Sequence, residues 1–108
     1  MLPEELKEKL TGLKEKNREL ALLLKIEVKK LRLTELEKET ANPELWANQA
    51  RAKVVMQEKK LLEKELKLWE ELSSGTEDLL TLSEMAEEKE LNELADEYSG
   101  LAKKAEEL

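Results

Sequence analysis

Adjacent carboxylates stand at Glu70/Glu71 and at Glu87/Glu88, and adjacent hydroxyls at Ser73/Ser74. Acid–base catalysis needs carboxylates whose pKa values are pushed apart in a protected site. These pairs lie in charge-rich stretches, which is the pattern of solvated helix faces. The 108 residues include no His and no Cys. That removes imidazole bases, thiolate nucleophiles, disulfides and the usual zinc ligands together. A carboxylate-bridged metal site in a helical bundle combines inward Glu residues with Glu-x-x-His, so the lack of His argues against that as well. Ser73 and Ser74 have no imidazole to activate them and read as capping and loop residues. The three glycines are isolated, so there is no phosphate-cradling loop. The expectation is a protein that is not an enzyme, with no catalytic residue, no metal and no cofactor.

Cations and aromatic rings offer binding rather than catalysis. Lys25, Lys29 and Arg32 fall at i, i+4 and i+7 on one helical face, with Lys30 beside them. Such a row can touch a phosphate backbone, although it is more often the solvated side of an amphipathic helix. Trp46 and Trp69 could anchor an interface. Their spacing favours core positions, Trp69 on a helical stripe and Trp46 one turn inside a helix start.

The elements that position these residues read as helices. Leu2-Pro3-Glu4-Glu5 suits a helix start, with Pro near the first position and acids at the positive end of the dipole. Leu6, Leu10, Leu13, Asn17, Leu20, Leu24, Glu27 and Leu31 then alternate in steps of four and three, a heptad-like stripe. Leu22, Leu23, Ile26, Val28 and Leu33 fall off it, so a kink or a change of buried face is expected near residues 23–26. The chain turns at Asn42-Pro43-Glu44-Leu45-Trp46-Ala47-Asn48. Asn42 is read as N-cap and Pro43 as the first helical residue, which stops the incoming helix near Thr40 or Ala41. Asn48 is a second cap, opening a helix expected to reach Ser73. Its stripe is Val55, Leu62, Trp69 and Leu72, widened by Val54, Leu61, Leu66 and Leu68 and interrupted by Glu58 and Glu65. Ser73-Ser74-Gly75 is expected to end it, and Thr76 to cap a third helix. Glu87-Glu88-Lys89-Glu90 then interrupts the apolar pattern, which fits two helices with a turn near 87–90, the favoured reading, or one continuous helix. The pattern then runs to Leu108 with no breaker, as expected of a piece of a longer protein.

Short connections make neighbouring helices antiparallel. The expected fold is all-α, a single domain over residues 1–108 built as an antiparallel three- to four-helix bundle or long helical hairpin. No apolar run approaches the roughly 20 residues of a membrane span, and a cytoplasmic protein with no membrane partner is expected. Residues 1–32 carry nine Lys/Arg against six Glu, and residues 70–108 three Lys against thirteen Asp/Glu. The acidic last third argues against a general DNA or RNA binder, because phosphate contacts dominate that affinity. The basic first third leaves a local RNA contact open.

The segment Lys29-Lys30-Leu31-Arg32-Leu33-Thr34-Glu35-Leu36-Glu37, followed by Asn42-Pro43-Glu44-Leu45-Trp46-Ala47-Asn48-Gln49-Ala50-Arg51-Ala52, resembles the N-terminal domain of bacterial class-I peptide chain release factors. The Pro-x-x-Trp-x-Asn-Gln corner is most like the type that reads UAA and UGA. Where that family often has an Asp able to cap a break in the first helix, this sequence has Lys25-Ile26-Glu27. The resemblance implies a role in translation termination. It implies docking toward the ribosomal stalk base, near its protein and rRNA, and communication with the class-II release factor GTPase; no residue role carries over for that docking, and the row Lys25, Lys29, Lys30 and Arg32 stands, on its spacing alone, as the candidate rRNA contact. The codon-reading tripeptide and the Gly-Gly-Gln tip of such factors belong to later domains. Asn42, Pro43 and Trp46 carry over as a structural corner. The alternative reading is a stand-alone coiled-coil-type adaptor that binds a partner helix.

Overall fold

The computed structural model describes residues 2–108, apart from the side chain of Glu88. It consists of five helices: α1 (Pro3–Leu23), α2 (Ile26–Thr40), α3 (Pro43–Ala47), α4 (Gln49–Met85) and α5 (Glu88–Glu107). No strand occurs among the described residues. The 37 residues of α4 are the spine of a body measuring 60 × 23 × 19 Å. At 1.5 Å per residue such a helix spans roughly 55 Å, nearly the whole long axis.

α1 and α2 run one after the other along α4, antiparallel to it. Near one end, Leu6 and Leu10 of α1 meet Leu79 of α4 and Leu91 and Leu94 of α5. In the middle, Leu13, Leu72 and Ala105 form a second cluster, with Leu20, Tyr98, Leu101 and Leu108 around it. At the other end Leu36 of α2 packs with Leu45, Ala52 and Val55. Each fully buried Leu contributes about 1.5–3 kcal/mol by leaving water. The body is thus three helices thick where α5 lies and two helices thick, plus the short α3, beyond it. This agrees with the all-α antiparallel arrangement expected from the sequence.

The break in the first helical segment falls within the stretch the apolar pattern marked. The Leu24 N–H still donates to the Leu20 carbonyl at 2.8 Å, but Lys25 adopts φ 55°, ψ 48°. The left-handed region costs an L-residue roughly 1–2 kcal/mol, and no side chain caps α2. What offsets the strain is a new buried face. Ile26 is 1 % exposed and Leu36 fully buried, whereas Leu31, placed on the stripe by a straight-helix count, is 68 % exposed. The corner also forms as expected, and α4 opens at Gln49 behind the Asn48 cap.

Three expectations are corrected. Ser73-Ser74-Gly75 does not end a helix, and Thr76 caps nothing: α4 runs through them to Met85. The Ser74 and Thr76 hydroxyls donate back to the Glu70 and Leu72 carbonyls at 2.9 and 2.8 Å. A Cβ on Gly75 would come within 3.1 Å of Leu101 Cδ2, so this glycine serves close packing of α5 rather than a turn. The helix-propensity cost of Gly, about 1 kcal/mol, is smaller than the gain from burying Leu72 and Leu79 on either side of it. The real break comes later, where Ala86 and Glu87 are both extended, next to the turn expected near 87–90. Trp46 is not core but 52 % exposed. In the five-residue α3 the inward position belongs to Leu45, and the next residue is turned about 100° away.

Candidate functional site

Two local structures carry the sequence-predicted residues: the α1–α2 elbow with the basic row that follows it, and the corner between α2 and α4. At the corner, Asn42 Oδ1 accepts from the Glu44 N–H at 3.0 Å, and Asn48 Oδ1 accepts from the Arg51 N–H at 3.1 Å. Pro43 takes the first helical position, where no N–H is needed. The Trp46 indole Nε1–H donates to the Thr40 carbonyl at 3.1 Å, satisfying a carbonyl at the end of α2. Arg51 pairs with Glu39 at 3.1 Å across the turn. The corner is therefore held by side-chain caps and one indole, with the Trp46 side chain about half exposed.

The structure separates the basic row into paired and unpaired members. Arg32 clamps Glu58 on α4 with two bonds, Nε to Oε1 at 2.7 Å and Nη2 to Oε2 at 3.0 Å, while Nη1 reaches Glu35 at 3.0 Å. The bidentate fork holds the Glu58 carboxyl below the usual carboxylate range and the Arg32 guanidinium firmly charged. Lys29 bridges to Glu65 of α4 at 2.8 Å. Lys30 lies 3.6 Å from Glu27, with its ammonium 5.6 Å from the centre of the Trp69 ring. Lys25 is exposed at the point of the elbow and is in no ion pair among the described residues. Glu58 and Glu65, which interrupt the apolar stripe of α4, are thus the acceptors that fasten α2 to α4.

Two surface features were not singled out by counting residues. Around the elbow, Leu22, Leu23, Val28 and Leu31 are 60–77 % exposed. On α4, Val54, Leu61 and Leu68 are 45–56 % exposed. All seven look like core in a sequence of this composition. The signal for the elbow was present in Leu22, Leu23 and Val28, which fall off the first stripe, whereas Leu31 lies on it.

Among the described residues, a buried hydrogen bond joins two side chains across α1 and α4. Asn17 Nδ2 donates to Thr76 Oγ1 at 2.9 Å, with both residues nearly inaccessible, and Asn17 Oδ1 has no partner. Trp69 Nε1 lies 3.5 Å from the Asn17 carbonyl, so the ring is half-buried against α1. A shallow surface cleft lined by Lys14, Ala21, Trp69 and Glu77 flanks this pair. No group of three acidic, His or Cys side chains able to hold a metal occurs among the described residues, and no described helix is long and apolar enough to cross a membrane. The arrangement can present charge and apolar surface to a partner.

Comparison with known proteins gives a consistent result. Residues 28–108 match the family model described as the PCRF domain. The chain is 47 % identical over 64 residues to peptide chain release factor 2 of Rickettsia typhi (strain ATCC VR-144 / Wilmington), and 42 % identical over 64 residues to that of Rickettsia bellii (strain RML369-C). Peptide chain release factor 2 of Neorickettsia sennetsu (strain ATCC VR-367 / Miyayama) is 40 % identical over 63 residues. These alignments cover 58–59 % of this chain and 17 % of each relative, so the chain corresponds to a small part of the proteins it matches. No solved structure matches.

Proposed function

The chain belongs to the PCRF domain family, and from that premise we propose that it is the non-catalytic N-terminal domain of a translation termination factor. In this reading it docks toward the ribosomal stalk base during stop-codon-dependent release and acts in the cytoplasm. The observation that carries the reading is the family match over residues 28–108, which spans α2, the Pro43–Trp46 corner, α4 and α5. The surface suits a docking arm better than a site of chemistry. A 60 Å rod reaches well away from whatever domain it is attached to. Its elbow offers exposed aliphatic residues beside the unpaired Lys25. No Gly-Gly-Gln occurs in the sequence.

The ribosome is the proposed partner, through protein and rRNA of the stalk base, with the class-II release factor GTPase as a second. Of the four cations proposed to meet rRNA, Lys25 leads, because Lys29, Lys30 and Arg32 already have glutamate partners. One phosphate contact of this kind lowers the salt slope of binding by roughly one unit when it is removed. A photo-crosslinker at Leu31 of the full-length factor, bound to stalled termination complexes, tests the docking. Crosslinks to stalk-base protein or RNA are expected. A factor that releases peptide normally while Leu31 crosslinks to no ribosomal component would overturn it.

A further inference from the structure

A cleft of about 250 Å³ opens between α1 and α4. α1 lines it with Lys14, Asn17, Arg18 and Ala21, which share one face of that helix, and α4 with Trp69, Ser73 and Glu77 at steps of four. Two polar groups here lack the partners that their kind has elsewhere in the chain. Asn17 is 4 % exposed, its Nδ2 is taken by Thr76, and its Oδ1 has no partner. The chain has nine Ser and Thr residues. Eight of their hydroxyls donate to a carbonyl three or four residues back. Among the described residues only the Ser73 hydroxyl makes no such bond, and it lines the same cleft as the unpartnered Asn17 oxygen. A buried group left unsatisfied in a folded protein calls for a reason, and a binding site is one.

The lining selects the ligand. A lone oxygen acceptor favours a group that offers an N–H and repels a carboxylate or phosphate. At the rim the cations outnumber the acid. Lys14 pairs with Glu77 at 3.1 Å, whereas the Arg18 guanidinium, 71 % exposed, reaches Glu15 only at 3.8 Å. That surplus positive charge disfavours an organic cation and favours an anionic end. Trp69 adds a planar wall, half-buried, with its Nε1 3.5 Å from the Asn17 carbonyl. A flat ring bearing an N–H at one end and a phosphate at the other meets all three demands, and that is a nucleotide. The cleft is smaller than the roughly 300–1,000 Å³ of sites for drug-sized ligands, so it suits a single ring system.

We propose that this cleft binds one unpaired nucleobase, stacked on Trp69 and carrying its phosphate to Arg18. An N–H of the base donates to Asn17 Oδ1, and a ring nitrogen or carbonyl of the base accepts from the Ser73 hydroxyl. Asn17 Oδ1 is covered in the unliganded chain, so binding includes a parting of side chains at the rim, where those of Lys14 and Arg18 are 47 % and 71 % exposed. The base comes from a single-stranded stretch of RNA or from a free nucleotide. The RNA source rests on the termination-factor reading above; the free nucleotide does not. The site shares no residue with the row Lys25, Lys29, Lys30 and Arg32.

The test is an NMR titration of the isotope-labelled 108-residue chain. Its two indole N–H signals report Trp69 and Trp46, and Trp46, at the α2–α4 corner, is the internal control. Adenosine and cytidine monophosphates are expected to shift the Trp69 signal saturably and to leave Trp46 in place. Ribose 5-phosphate and inorganic phosphate are expected to move neither. A short single-stranded RNA that binds at least about tenfold more tightly than the mononucleotides identifies RNA as the source, and equal or weaker binding identifies the free nucleotide. Ser73→Ala, which removes a hydroxyl with no partner in the fold, should weaken binding about tenfold at an unchanged melting temperature, and Asn17→Leu should weaken it at least as much. A Trp69 signal unmoved at roughly 10 mM nucleotide overturns the proposal. So does an equal shift with ribose 5-phosphate, or full affinity in both variants. No ribosome enters the assay. A failure here therefore leaves the docking reading standing, and a failure of docking removes only the RNA source.

Discussion

Replacing either partner of the buried Asn17–Thr76 contact removes the same hydrogen bond, yet the two substitutions should move stability in opposite directions. Asn17 is 4 % exposed and Thr76 1 % exposed, with 2.9 Å between Nδ2 and Oγ1. The Thr76 hydroxyl has a second partner in the Leu72 carbonyl at 2.8 Å, whereas Asn17 Oδ1 has none. Thr76→Val keeps the side-chain shape but removes the only partner of the amide, leaving both of its polar ends stranded. A stranded buried group costs about 1–3 kcal/mol. Asn17→Leu instead removes the stranded oxygen and strands nothing, because the Thr76 hydroxyl still bonds to Leu72. The new Leu extends the apolar row of Leu13 and Leu20, with room beside Ala21 in the flanking cleft. A gain of about 1–2 kcal/mol is expected from the relieved oxygen and the added apolar burial. Urea denaturation followed by circular dichroism reads both. With a slope of about 2 kcal/mol per molar, the midpoint should fall by roughly 0.5–1.5 M for Thr76→Val and rise by roughly 0.5–1 M for Asn17→Leu. A neutral Thr76→Val, or an Asn17→Leu that loses more than about 1 kcal/mol, would refute the reasoning. The second result would mean that Asn17 is retained because it fixes the register of α1 on α4 at net benefit.

Other outcomes follow from the same geometry. Gly12→Ala should stabilise by about 1 kcal/mol, since nothing lies within 4 Å of its Cβ position, while Gly75→Ala should gain clearly less because Leu101 must give way; the same urea titration compares them. Lys25→Gly should stabilise by about 1 kcal/mol by relieving the left-handed backbone, and a loss on thermal melting would show that the Lys side chain contributes to the elbow. The Glu58 carboxyl is held low by Arg32, so its contribution is fully present above the ordinary glutamate range and is lost as pH falls through its folded value. Glu58→Gln should therefore flatten the acid limb of a stability–pH curve, and an unchanged limb would mean that the fork persists only weakly in solution.

What could be read from the sequence was whatever depends on local chemistry. The Asn42–Pro43 start, the Asn48 cap and the change of face near Lys25 are all set by a few neighbouring residues, and each appears where their types predict. Ser73-Ser74-Gly75 misled because its local chemistry signals an end, while its role is tertiary: Gly75 makes room for Leu101, a residue 26 positions on. Trp46 misled in the opposite way. Ring size argues for burial, but a five-residue helix has one inward place, and Leu45 holds it. The basic row was legible as a row, yet not as a set of partners for Glu58 and Glu65. Those glutamates read as flaws in a stripe until α2 was seen to lie over them. The exposure of Val54, Leu61 and Leu68 was hidden for a related reason, since nothing in their types distinguishes them from the buried apolar residues of the same helix.

Under the proposed function, this domain would position a release factor on the ribosome and take no part in the hydrolytic step. Peptide release from stalled termination complexes, measured with the full-length factor and with a form lacking residues 1–108, tests it most directly. The expected result is a rise in KM of roughly tenfold or more with kcat within about twofold, the mark of lost binding common to ground and transition states. An unchanged KM, or a collapse of kcat alone, would contradict it.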